Sequence, residues 1–113
     1  MFGSISFDAM SSALDALSLR QRVIADNIAN VQTPGYQAKR VEFEDALTAA
    51  VKHGSGTVKA TTQTSLEPTR EDGNNVNLDT ETLSNIDTNL RYQLASQAVS
   101  GQFALIRAAM RSS

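Results

Sequence analysis

The chain has 113 residues, ten basic and twelve acidic, for a net charge of -2. That length fits one domain, and a near-balanced charge with no basic run or stripe argues against a nucleic-acid partner. The absence of cysteine excludes a disulfide framework and any cysteine-ligated metal site. Aromatic residues make up only 5% of the chain and tryptophan is missing. A core built from so little bulk is thin, so part of the stability is expected to come from partners.

The first residues, Met1 to Asp8, carry no basic segment and no long apolar run, unlike an ordinary secretory signal. No stretch approaches the ~18 apolar residues of a membrane helix. These marks predict a soluble protein with no direct membrane insertion, not secreted by the general route.

From Phe7 to Val31 the residues Phe7, Met10, Leu14, Leu17, Gln21, Ile24, Ile28 and Val31 recur at spacings of three and four. This is a helical seam with one polar member, Gln21. Ser6 or Asp8 is placed to cap its start. Ala13, Ala16, Leu19 and Val23 lie off the seam, so the apolar face is wider than a two-stranded coiled coil needs. The spacing predicts about 25 residues of helix, roughly 37 Å long.

The helix ends in Asn27-Ile28-Ala29-Asn30-Val31-Gln32-Thr33-Pro34-Gly35-Tyr36. Pro34 disfavours helical geometry at Thr33. Pro34-Gly35 suits the central positions of a type II turn, with Gly35 supplying positive φ. Asn27 and Asn30 are poor helix-interior residues but good near a terminus, where their amides bond freed backbone groups. The chain is therefore expected to stop sharply, turn, and leave extended from Tyr36.

Tyr36, Ala38, Val41 and Phe43 alternate weakly with charged neighbours. Glu42 to Val51 predicts a short helix, ended by Gly54 with Lys52 and His53 in its last turn. Residues 54–77 are rich in Gly, Ser, Thr and Asn and read as a loop, with Thr57 to Leu66 able to supply one or two short strands. Asp72-Gly73-Asn74-Asn75 is turn chemistry. A second long helix is predicted from Leu78 or Asp79 to about Met110, capped by Asn77 or Asp79, acidic early and basic late.

That last helix is apolar on two faces. Ile86, Leu90, Leu94, Ala98, Gly101, Leu105 and Ala108 form a first stripe; Tyr92, Ala95, Val99, Ile106 and Met110 form a second. A helix greasy on two faces has to be covered on two faces. One N-terminal helix covers one. The second stripe is assigned here to contacts between subunits.

Candidate chemistry is sparse. His53, the single histidine, sits at a helix end with no second titratable group placed to work with it. There is no Gly-x-Ser-x-Gly elbow, Gly54-Ser55-Gly56 has no following Lys, and Asp72-Gly73-Asn74-Asn75 lacks the spacing of a calcium loop. Glu42, Glu44 and Asp45 read as a solvated helix face. The expectation is no enzyme, no cofactor and no metal.

Ala25-Asp26-Asn27-Ile28-Ala29-Asn30-Val31-Gln32-Thr33-Pro34-Gly35-Tyr36 resembles the N-terminal signature of the bacterial flagellar basal-body rod proteins; Asp26 stands where Asn is commoner. Asp72-Gly73-Asn74-Asn75-Val76, with Leu90-Arg91-Tyr92-Gln93 in the helix after it, resembles the proximal rod members in particular. The middle, residues 54–70, carries little of the likeness. The resemblance implies a mainly α fold, with two long terminal helices pairing as an antiparallel coiled-coil-like hairpin around a short helix and a polar or small β excursion. Residues 1–33 and 78–113 would form the assembly core, and 34–77 the segment outside it. It implies a motif of Asn27, Asn30, Thr33, Pro34, Gly35 and Tyr36. Assembly positions would be Leu14, Leu17, Ile24 and Ile28 on the first helix, and Leu83, Ile86, Leu90, Tyr92, Leu94, Val99, Leu105 and Ile106 on the last. It also implies a structural shaft subunit that transmits motor torque, located in the basal body across the periplasm. Its partners would be other rod proteins, copies of itself, the ring-to-rod adaptor and the membrane ring. Export would run through the flagellar type III apparatus with no cleaved signal. The alternatives are the sister proximal rod role, or a soluble helical adaptor or chaperone holding one partner helix.

Overall fold

The structure, a computed structural model, describes residues 2–111. In chain order it runs α1 (Phe2–Ala29), β1 (Lys39–Glu42), α2 (Glu44–Lys52), β2 (Thr61–Thr64) and α3 (Leu78–Arg111). The molecule is long and flat, 66 × 26 × 15 Å. The two terminal helices set the long axis, and the expected mainly α hairpin is what forms.

Three contacts fix the pairing of α1 with α3. Phe7 meets Phe103 edge-to-face at 5.6 Å, the Gln21 amide donates to Asn89 Oδ1 at 2.8 Å, and the Asn27 amide donates to Glu81 Oε1 at 3.0 Å. The partners run in opposite order, so the helices are antiparallel. Gln21, the polar member of the seam, pins the register with a hydrogen bond rather than by bulk.

The excursion packs against a different face of α1. Ala16, Leu17 and Phe43 are the buried centre, with Ala13, Leu47, Ala60, Tyr92 and Ala95 around them. Small residues at 13 and 16 let the β1–α2 segment approach the helix backbone. Arg20 fastens the same face: it donates to Val41 O at 2.6 Å, pairs with Glu44 at 2.5 Å and lies 5.0 Å from the centre of the Phe43 ring. Glu44 is thus an ion-pair partner, not part of a merely solvated face. The corresponding helix is also shifted, because Glu42 belongs to β1 and α2 begins at Glu44.

β1 and β2 pair antiparallel, Lys39 opposite Thr64 and Glu42 opposite Thr61. One strand of the two allowed within 57–66 therefore forms. It takes its partner from residues 39–42, a pairing across some 20 residues that no local pattern announces. Past α2, Gly54 has φ +84°, and the chain then crosses α1 at Gly56. A Cβ built there would lie 2.5 Å from Ala9 N and closer still to Ile5 O. Ser12 secures the crossing by donating to Gly56 O at 2.8 Å and accepting from Val58 N at 3.2 Å.

Two expectations are corrected at the helix ends. α1 already begins at Phe2, so neither Ser6 nor Asp8 caps it; both sit inside the helix. At α3, Asn77 is the cap, its Oδ1 accepting from Asp79 N at 3.1 Å and Thr80 N at 3.3 Å, and Asp79 is helical.

The larger correction concerns α3. The second stripe is the one that meets α1: Tyr92 and Ala95 pack on its buried centre, and Val99 is half-buried. The first stripe points the opposite way. Ile86 is 61% exposed, Leu90 55%, Leu94 58% and Leu105 71%, and Leu83, about one turn ahead of Ile86, extends the stripe at 69%. The reason lies in Glu81, Ser84 and Thr88, which share the inner face with Tyr92. Asn27 and the small residues of α1 suit that polar, narrow edge, whereas five Leu and Ile side chains would be too bulky for it.

Candidate functional site

The junction where α1 ends and α3 begins is built from asparagines. Ala29 closes the α-helix, and Thr33, Pro34, Gly35 and Tyr36 then form a turn closed by Tyr36 N donating to Thr33 O at 3.2 Å. Gly35 has φ +77°, the value a type II turn requires at that position.

Asn27 is fully buried, and its amide is used completely. Nδ2 donates to Lys39 O at 2.8 Å and Glu81 Oε1 at 3.0 Å. Oδ1 accepts from Lys39 N at 3.0 Å and from the Tyr36 hydroxyl at 3.2 Å. Two donors and two acceptor sites are the whole capacity of the side chain. Asn27 thus serves Lys39 as a neighbouring strand would and ties β1, the turn and α3 together. The reading that Asn27 would bond freed groups of its own helix end is corrected: its partners are all on other segments. Asn30 does act locally, donating to Asp26 O at 2.8 Å and accepting from Thr33 Oγ1 at 3.0 Å.

The carbonyls of the segment just past α1 are answered from about 40 residues downstream. Asn74, also fully buried, donates through Nδ2 to Asn30 O at 2.8 Å and Thr33 O at 2.9 Å. Arg70 donates to Val31 O and to Val76 O. Asn75 Oδ1 accepts from Ala38 N at 2.6 Å, while its Nδ2 donates to Glu67 O at 3.1 Å. Asp72 O receives Gly35 N at 2.8 Å. The loop's own shape comes from Gly73 at φ +82° and from Asp72 Oδ1, which accepts from Asn74 N at 3.0 Å. The Asp72–Val76 run is therefore more than a turn. It holds the segment that leaves α1 and locks onto the Thr33–Tyr36 turn.

Glu81 is the one buried carboxylate of this junction. Burial pushes its carboxyl above the usual range; the hydrogen bond from Asn27 opposes this, and nearby Glu67 adds to it. Burial also raises the Tyr36 hydroxyl, with Asp26 and Glu81 contributing. Among the described residues there is no group of three His, Cys, Asp or Glu placed to hold a metal ion. The arrangement fixes the direction of chain segments and offers no nucleophile paired with a base.

The residues expected to matter thus fall into two places. Asn27, Asn30, Thr33, Pro34, Gly35 and Tyr36 lie together at the junction. Of the helix positions, Leu17 and Ile24 are buried and Leu14, Tyr92 and Val99 half-buried in the hairpin, while Ile28, Leu83, Ile86, Leu90, Leu94, Leu105 and Ile106 are exposed. Arg70, Asn74, Asn75, Glu81 and Ser12 were missed as contributors. The only sequence signal was a dense Asn-Asn pair after a glycine, which local chemistry accounts for without any distant partner.

The family profile described as "Flagella basal body rod protein" matches residues 7–37, which carry α1 and the turn. The chain is 37% identical over 112 aligned positions to the flagellar basal body rod protein FlgB of Escherichia coli (strain K12), covering 80% of this chain and 81% of that one. The chain belongs to the FlgB family of flagellar basal body rod proteins. The likeness to FlgB reaches distant bacteria: 30% identity over 130 positions with the Borreliella burgdorferi protein, covering 94% and 96% of the two chains. With the Bacillus subtilis (strain 168) protein it is 28% over 111 positions, covering 83% and 84%. These spans cover more of the chain than the profile does, so the FlgB likeness extends beyond α1 and the turn.

Proposed function

We propose that this FlgB-family chain is a structural subunit of the proximal rod, joined to its neighbours through the outward stripe of α3. The carrying observation is that stripe. Leu83, Ile86, Leu90, Leu94 and Leu105, each more than half exposed, lie on the side of α3 facing away from α1. Burying a Leu or Ile is worth about 1.5–3 kcal/mol, so five per subunit, repeated along a shaft, make it stiff. The asparagine junction holds the excursion at a fixed angle to the hairpin, which keeps residues 34–77 clear of the stripe. In this reading torque passes along the packed terminal helices. The wider partners are the ring-to-rod adaptor, the membrane ring and the type III export apparatus, in a basal body spanning the periplasm, with no signal cleaved.

The test is complementation of a strain lacking the gene. Leu94→Asp is expected to abolish motility and rod assembly while the purified variant keeps its helical content. Leu66→Asp, at a side chain 84% exposed and outside α3, serves as the control for an added surface charge. Intact rods with Leu90→Asp and Leu94→Asp would refute the stripe as the assembly surface.

A further inference from the structure

We infer that the segment from Tyr36 to Leu66 is a conditional element, ordered only while α1 is helical, so that α1 acts as the switch for the whole excursion. This holds whichever neighbours the chain meets.

The excursion has too little of its own to stand alone. β1 and β2 are four residues each, and an isolated two-stranded pair is marginal at best in water. α2 has nine residues, short of the ~12–15 at which an isolated helix becomes even marginal. α2 has no buried residue, and β2 is exposed throughout. The buried apolar side chains of the excursion are Ala38, Val41 and Phe43. Phe43 is buried with Ala16 and Leu17 of α1. Leu47 and Ala60, which the excursion itself adds to that cluster, are only half-buried. Take α1 away and the cluster loses its floor.

The bonds to α1 also require that α1 be a helix, not merely that it be close. Ser12 meets Gly56 O and Val58 N, Arg20 donates to Val41 O, and Asn27 serves both Lys39 N and Lys39 O. These three side chains are eight and seven residues apart, two helical turns each. The helix brings them to one face at intervals of about 11 Å. In an extended chain the same intervals would be roughly 25 Å, and Arg20 and Asn27 would point to opposite sides. Lys39 and Val41 are thus answered by helical side chains on the edge of β1 where a third strand would sit. With α1 unwound, that edge has no partner and β2 alone must hold β1.

The excursion therefore has two states tied to one helix. A contact that orders α1 raises residues 36–66 in the same step, and one that unwinds α1 releases them.

Amide hydrogen exchange of the full chain, read residue by residue by NMR, tests this. The reporters are Ser65 N, which donates to Ala38 O at 2.7 Å, and Leu47 N, which donates to Phe43 O at 2.8 Å; the amides of residues 12–27 report α1. Spectra are taken without and with trimethylamine N-oxide, which favours buried states. The reporters and α1 should gain protection together, at one osmolyte concentration, and wherever α1 is unprotected both reporters should be unprotected too. Asp15→Pro, at an exposed position inside α1, breaks the helix. It should lower protection at Ser65 and Leu47 by the same factor as in α1, at least about 100-fold. Protection of either reporter while α1 exchanges freely, in the parent or in Asp15→Pro, would overturn the coupling, as would a protected α1 with both reporters free. The rod reading is decided separately, by motility and rod assembly.

Discussion

Changing Asn27 to Asp replaces one NH₂ group with one oxygen and leaves the shape of the side chain unchanged. The cost should nevertheless be large. In the native junction that NH₂ donates to the Lys39 carbonyl at 2.8 Å and the Glu81 carboxylate at 3.0 Å. In the variant both become oxygen–oxygen contacts, and at neutral pH the second sets two buried carboxylates side by side. Each lost donation leaves an unsatisfied buried acceptor, at about 1–3 kcal/mol. The expected loss is about 3–5 kcal/mol, the range for a buried charge deprived of its partner. A domain of this size has only about 5–15 kcal/mol in total. Thermal unfolding followed by circular dichroism should therefore show Tm lowered by about 15–25 °C. Acid should narrow the gap, since a proton shared between the introduced carboxylate and Glu81 restores one donated bond. A variant within about 0.5 kcal/mol of the parent at neutral pH, the scatter of ordinary surface changes, would show that the four-bond amide does not hold the junction.

Three further outcomes follow from the same geometry. The Glu81 carboxyl is raised in the folded chain by burial, against the bond from Asn27 and with Glu67 adding. The native state therefore favours the protonated form more than the unfolded chain does. Its contribution is full below the unfolded carboxylate value and is lost as pH rises through the folded one. Glu81→Gln should raise Tm at neutral pH, with the difference vanishing in acid; a loss of stability at neutral pH would refute this. Among the described residues, Thr88 Oγ1 is the buried side-chain atom that lacks a hydrogen-bond partner, so the isosteric Thr88→Val should gain about 1 kcal/mol in urea unfolding, and a loss would mean the hydroxyl has a role. Gly56→Ala puts a Cβ against the backbone of α1. It should cost about 1–3 kcal/mol and speed amide exchange across residues 5–12, an effect absent if the crossing is loose.

The elements readable in the sequence were those whose cause is local. The spacing of apolar residues marks α1 and α3, Pro34-Gly35 marks the turn, and Asn77 marks the start of α3, each within a few positions. The partners of buried amides were not readable. Asn74 and Asn75 look like ordinary turn residues, and nothing nearby shows that their acceptors are Asn30 O, Thr33 O and Glu67 O. The orientation of α3 was misread for a related reason. Both of its stripes are apolar, and counting apolar residues favours turning the richer one inward. Glu81 on the poorer side, bonded to Asn27 of α1, outweighs that count.

That preference bears on function. A hydrogen-bonded pair between α1 and α3 is satisfied only where the register brings its two members opposite, and each such pair narrows the registers the hairpin can adopt. An inner face of Leu and Ile would pair more strongly with α1, but at several registers and in competition with neighbouring subunits offering the same kind of surface. Here the two jobs are divided between opposite sides of one helix. Gln21–Asn89 and Asn27–Glu81 set register within the subunit; Leu83 to Leu105 stay exposed, and in the proposed function they are the side that meets neighbouring subunits.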